Sequence, residues 1–237
     1  GVVNMVNLTY RNVAELHKAR ELVATGTIGT VKHIEASYLQ HWVALRDWSD
    51  PSIAGPWLWR LSKSHGSNGT LGDIGIHIID FATYATGTQI AAMHCRLHTF
   101  NKVPGDRMGE YVLDANDSFI ISAEFSNGAI GTIHASRWAS GHQNDQRLRA
   151  YGEKGGLELS HGHWGTLLRV CAGADVATNT WREVRADPVP TNYQRFAEAV
   201  RSGVPAEPSF RHAAKLQQVL DLALIADLDR KDHTLIS

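Results

Sequence analysis

Between residues 90 and 171 the chain is a succession of short runs: IAAMHCRLHTF, DSFIISAEF, AIGTIHASRW, QRLRAYG, GGLELS and TLLRVC. Alternation within such runs marks strands, because successive side chains of an extended chain point to opposite faces. SNGA and EKGG between them are turn sequences of the hairpin kind. Strands that follow one another through tight turns pair antiparallel, since a parallel pair needs a long crossover. The sequence therefore predicts an α+β fold with a large, mainly antiparallel sheet.

Helical spacing flanks this sheet. In RNVAELHKARELVATGTIG the residues Val13, Leu16, Ala19, Leu22 and Val23 share one face, with Asn12 as the expected N-cap and Gly26 as the stop. The first ten residues, GVVNMVNLTY, partly alternate and are expected as a strand, as is TVKHIEASYLQHW. Residues 43–68, rich in Pro, Ser and Gly with three tryptophans, are expected as a long ordered loop. A helix is expected over about 71–86, closed by Gly87. Near the end, TNYQRFAEAVRSG places Tyr193, Phe196, Ala197 and Val200 on one helical face, and Ser209 caps a last long helix. Nothing splits the chain, so residues 1–237 are expected to form one domain with helices packed on one face of the sheet. Apolar residues at both parities of FIISAEF and MHCRLHTF are compatible with a sheet covered on its second face as well, which leaves that face available for oligomerisation.

Charge and composition remove several classes of function. Lys plus Arg (23) nearly balances Asp plus Glu (24), so neither nucleic acid nor an anionic membrane is an expected partner. No run is long and apolar enough to span a bilayer, and no basic-then-apolar leader opens the sequence, so the expected compartment is the cytoplasm. Cys95 and Cys171 suit a reducing compartment and give no disulfide framework. No metal is expected: on an alternating strand His94 and His98 share a face while Cys95 lies opposite, and DANDS lacks the length and the downstream Glu of a calcium loop. HGHW, residues 161–164, is expected as a polar turn.

The run GTLGDIGIHIIDFATYATG, residues 69–87, carries Asp73 and His77 one helical turn apart. One reading is a cap: Thr70 at the N-cap and Asp73 at the third helical position form a T-x-x-D box, and His77 is an ordinary helical residue. The other is chemical. A carboxylate beside an imidazole, in a wall of isoleucines, suits a general base near neutral pH.

The surroundings of this pair carry a resemblance. TYRNVAELHKARELVATGTIGTVKHIEASYLQHW, WLWRLSKSHGSNGTLGDIGIHIIDFATYATG, SFIISAEFSNGAIGTIHASRWASG, YGEKGGLEL and FAEAVRSGVPAEPSF resemble, in order, the C-terminal domain of the glucose–fructose oxidoreductase, inositol dehydrogenase and rhizopine-catabolism (Gfo/Idh/MocA) family. The resemblance implies a two-domain enzyme that uses NAD or NADP. Its N-terminal Rossmann domain binds the dinucleotide, and its C-terminal domain binds a sugar or polyol and builds a dimer or tetramer. Asp73 and His77 match the family's catalytic D-x-x-x-H. Arg11, Gln40, His41, Trp42, Arg60, Arg137, His142 and Asn144 match positions that in relatives lie near the substrate.

Two departures follow. This chain has no G-x-G-x-x-G after a first strand, and it lacks the family's Glu-Lys-Pro segment, whose lysine works with the His–Asp pair. The Rossmann domain is thus absent from this chain, which alone is expected to bind no cofactor and to be inactive. The expected function is the substrate domain of a dehydrogenase acting on a secondary hydroxyl of a sugar or polyol. The alternative is a free-standing, non-catalytic sugar-binding or assembly module.

Overall fold

The computed structural model describes residues 2–45 and 55–235. Its strands are β1 Val31–Leu39, β2 Ile90–His98, β3 Arg107–Met108, β4 Tyr111–Val112, β5 Ser118–Phe125, β6 Ile130–Ser136, β7 Asp145–Gly152, β8 Gly155–Gly162, β9 Gly165–Ala172, β10 Arg182–Glu183 and β11 His233–Thr234. Its α-helices are α1 Ala14–Ala24, α2 Trp42–Leu45, α3 Ile76–Thr86, α4 Asn192–Ser202 and α5 Phe210–Asp229. Nine of the strands form one sheet in the order β10-β9-β8-β7-β1-β6-β5-β2-β11. The hairpins β5–β6, β7–β8 and β8–β9 are antiparallel, as their tight turns require. Strand β1 is central, antiparallel to β7 and parallel to β6, to which only a long connection leads.

Helix α1 lies over β8 and β9, α3 over β1, β6 and β7, and α5 over β2. Their apolar stripes bury Leu16, Ile78, Phe81, Leu216 and Leu220 against Ile34, Phe119, Ile121, Leu148 and Leu159 on one sheet face. Each such side chain contributes about 1.5–3 kcal/mol when fully removed from water. The other face is open in this chain and largely polar. Across it Glu35, Arg149, Glu158 and Arg169 stand opposite one another on β1, β7, β8 and β9, with ion-pair distances of 3.2, 3.3 and 2.7 Å. Ile120 and Ile130 are its exposed large apolar residues. The mixed parity of the strand sequences therefore does not reflect a second buried face in this chain.

Three local expectations change. Residues 2–8 make no ladder with a strand; instead the Val6 N–H donates to the Pro208 carbonyl at 2.8 Å, and Asn4 accepts from the Phe210 N–H at 2.9 Å. The N-cap of α1 is Val13, because the Asn12 side chain is taken up by the Asn192 N–H at 2.6 Å. Helix α4 does not bury the face expected of it: Tyr193, Phe196 and Val200 are exposed, with Val204 and Phe210 beside them in sequence. Gly26, Gly87 and Gly203 do close their helices in the left-handed conformation, and Ser209 caps α5. HGHW spans the end of β8 and its turn into β9. Within the expected loop 43–68, Gly55–Leu61 and Lys63–His65 form short 3₁₀ turns, and Trp48 lies outside the described residues.

Candidate active site

The segment bearing Asp73 and His77 begins with a π-helical turn, Leu71–Gly75, that runs straight into α3. Glycines make this turn possible. A Cβ on Gly69 or Gly72 would stand 2.5 Å from Asn116 or Asn68, and one on Gly75 would stand 2.9 Å from the Phe119 ring. The expected capping box is not what holds the turn. Thr70 already has helical backbone angles and makes no side-chain cap. Asn116 does the work from outside: its Oδ1 accepts from the Leu71 N–H at 3.0 Å, its carbonyl from the Thr70 N–H at 2.8 Å, and its amide donates to the Asn68 carbonyl at 2.8 Å.

Asp73 is thereby free to face other partners. Its Oδ2 accepts from Arg137 Nη2 and lies 3.5 Å from Arg60 Nε. His77, on the same helical face, makes an edge-to-face contact with the Tyr10 ring at 5.4 Å between centroids, and its Nδ1 is buried without a partner. Burial holds the imidazole below the ordinary histidine range, and the charges of Asp73 and Asp80 oppose that shift.

Beyond His77 lies a polar floor at the ends of β1 and β7. The Tyr10 and Tyr38 hydroxyls meet at 2.5 Å, and Tyr38 donates to Asn144 Oδ1 at 3.0 Å. Gln40 Nε2 donates to the same oxygen at 2.6 Å, while Gln40 Oε1 accepts from the Trp42 indole at 3.1 Å. His41 Nδ1 contacts the His142 carbonyl, and His142 Nδ1 pairs with Asp145 at 2.7 Å. Trp42 joins the two halves, since its ring also faces the Arg137 guanidinium at 5.1 Å. Burial raises both tyrosines above the ordinary phenol range, so they stand as neutral hydroxyls.

Asn144, Gln40 and Trp42 thus lie on a hydrogen-bonded chain that reaches His77 through Tyr38 and Tyr10, His41 contacts His142, and Arg60 lies beside Asp73. Arg11 and Arg137 lie deeper in the structure. Arg11 is buried on Asp80 through hydrogen bonds of 2.6 and 2.7 Å that use its Nε and Nη2, beneath the Tyr84 ring. Burial raises Asp80, but Arg11 and His212 outweigh it and hold the carboxyl below its usual range. Arg137 is 0% exposed and committed to Asp73 and the Arg60 carbonyl. Four neighbours escaped the sequence reading: Tyr10, Tyr38, Gln146 and His161. Tyr38 could have been found, because it continues the inward parity of Ile34 and Ala36 toward Gln40; Gln146 and His161 lie in register with it on β7 and β8.

Among the described residues no three His, Cys, Asp or Glu side chains converge to hold a metal, and no helix is long and apolar enough to cross a membrane. The glycines at the start of the α3 segment pack against Asn116, Asn68 and Phe119.

Comparison with known proteins agrees with this architecture. The model of the GFO/IDH/MocA C-terminal domain matches residues 16–158. Levoglucosan dehydrogenase of Pseudarthrobacter phenanthrenivorans is 29% identical over 174 residues, 68% of this chain and 43% of that protein. The crystal structure of an oxidoreductase domain protein from Kribbella flavida superposes with a TM-score of 0.84 at 32% identity, covering 98% of this chain and 66% of that one. Levoglucosan dehydrogenase in complex with NADH and L-sorbose gives a TM-score of 0.85 at 25% identity, over 100% of this chain and 66% of that one. The chain therefore spans less than half of that curated relative and about two thirds of those solved structures.

Proposed function

Since the chain belongs to the GFO/IDH/MocA family, as its C-terminal domain, we propose that it is the substrate domain of an NAD(P)-dependent oxidoreductase. The substrate would be a sugar or polyol, oxidised at a secondary hydroxyl or reduced at the corresponding ketone. The observation that carries this reading is one uncharged imidazole, His77, bordering a floor of hydroxyl and amide groups from Tyr10, Tyr38, Gln40 and Asn144. Such a floor can exchange hydrogen bonds with several hydroxyls at once, which is what a polyol presents. It also fits the sugar ligand of the related NADH–L-sorbose complex.

Oxidation of a secondary alcohol removes a proton from oxygen and a hydride from carbon. This chain supplies the proton acceptor, His77, whose lowered basicity keeps it unprotonated near neutral pH. Asp73 lies one turn away to shape the field of the site. The hydride acceptor belongs to a nucleotide-binding domain outside these residues. The floor residues, with His41, Trp42, Arg60 and His142, orient the ring. The two free cysteines, both buried, suit the cytoplasm, and the open face of the sheet is where copies would meet.

A free-standing saccharide-binding module is the second reading, prompted by the lack of a G-x-G-x-x-G fingerprint in this sequence. Against it, Trp57 and Trp59 stand 52% and 40% exposed next to Arg60, and α4 leaves Tyr193 and Val200 bare. Exposed aromatic and aliphatic surface of this kind is what a docking domain covers. The deciding experiment produces the protein from its complete gene and assays nicotinamide reduction against a panel of sugars and polyols. Turnover with a polyol supports the dehydrogenase. Saccharide binding that ignores nicotinamide, with no turnover, supports the module.

A further inference from the structure

Asp73 and His77 share a helical face, yet no hydrogen bond joins them among the described residues. The carboxylate turns instead to a guanidinium that has no access to solvent. Arg137 follows β6, its backbone N–H donates to the Asp117 carbonyl at 3.0 Å, and its side chain is 0% exposed. Nη2 donates to Asp73 Oδ2 and Nη1 to the Arg60 carbonyl at 3.2 Å, while the Trp42 ring covers the guanidinium. A substrate cannot touch this group. A buried guanidinium with one carboxylate in reach is committed to it, because the alternative is an uncompensated charge in the interior.

We infer that Arg137 is a positioning residue: it holds the Asp73 carboxylate away from His77 and offsets its charge, so that His77 stays an uncharged imidazole able to accept a proton. Without that clamp, an anion one helical turn from an imidazole draws it toward the protonated form. The other groups facing His77 are few. Asp80, on its own helix, is hydrogen-bonded to Arg11 and His212; Tyr10 is a neutral phenol, as is Tyr38 behind it; His161 lies across the Tyr10 ring, and Arg60 sits beside Asp73. Asp73 is thus the nearby anion that Arg137 holds, with Arg60 at 3.5 Å as its second cation. Burial pulls Arg137 below its usual range and Asp73 opposes this, as expected for a cation held in place by that carboxylate.

The inference rests on His77 and Asp73 being the reacting pair, but its test reads no turnover. Imidazole titration by NMR on the 237-residue chain gives the His77 midpoint in wild type, Arg137→Met and the double variant Asp73→Asn/Arg137→Met. Arg137→Met is expected to raise the midpoint by about 0.5 pH unit or more, and the double variant, which lacks the anion, to return to the wild-type value or below it. A folded Arg137→Met with an unmoved midpoint overturns the inference. So does a double variant that stays about 0.5 unit or more above wild type, since Arg137 would then act on His77 directly and not through Asp73. If Arg137→Met does not fold, the double variant decides alone, because exchanging both members of a buried pair is tolerated better than removing one. Loss of the dehydrogenase reading would leave these midpoints as they are.

Discussion

Tyr10 meets His77 edge to face at 5.4 Å while its hydroxyl binds that of Tyr38 at 2.5 Å. One side chain therefore fixes the plane of the imidazole and begins the hydrogen-bonded floor that runs through Tyr38 to Asn144 and Gln40. The contact comes from two distant parts of the chain: a 3₁₀ turn at Thr9–Asn12 and the first turns of α3.

Replacing Tyr10 by Phe keeps the ring contact and removes the hydroxyl. A hydrogen bond of this kind is worth about 0.5–1.5 kcal/mol, so KM for the polyol should rise roughly two- to tenfold with a smaller change in kcat. Steady-state kinetics on the full-length protein check this. An unchanged KM would remove Tyr10 from the floor.

Asn116 is the external cap of the segment that carries both Asp73 and His77. Asn116→Ala strips two side-chain hydrogen bonds from a buried helix start and should cost about 1–3 kcal/mol of stability, read from urea unfolding. A loss below about 0.5 kcal/mol would mean that the glycine-packed turn holds itself.

Arg11 and Asp80 form a buried ion pair with His212 as third member. Removing one partner, as in Arg11→Met, should destabilise by about 3–5 kcal/mol, and adding Asp80→Leu should recover part of that loss. Thermal unfolding of the two variants distinguishes this structural role from substrate binding, which would leave stability near wild type.

Burial lowers His17, His77, His134 and His161. In each case the unfolded chain takes up its proton at a higher pH than the folded one. Their stabilising contribution is therefore complete above about pH 6.5 and is lost as pH falls through that value toward the folded midpoints. Asp80, depressed in the fold, adds a second loss below about pH 4. Denaturant midpoints should fall between pH 7 and 5.5; a flat or rising profile would contradict the burial of these rings.

Strand succession and hairpin turns made the sheet legible in the sequence, because alternation and glycine chemistry are local signals. Residues 2–8 were not, since alternation alone does not supply a neighbouring strand. The α4 stripe misled for a related reason: periodicity reports a face, not what covers it. Gln40, His41 and Asn144 came from the resemblance, and the structure joins Gln40 and Asn144 by a hydrogen bond of 2.6 Å. The parting of Asp73 from His77 could not be read from the sequence, because it depends on Arg137 arriving from 64 residues away in the chain. Asn116 was equally hidden, as its capping of a helix start 45 residues earlier leaves no local pattern.

The most direct test of the account is His77→Ala in the full-length protein, assayed for nicotinamide-dependent oxidation of its preferred sugar or polyol. A fall in kcat of at least about tenfold is expected, less than the roughly hundredfold or more that a general base contributes because water can substitute in part. Activity near wild type would contradict it and remove His77 from the chemistry.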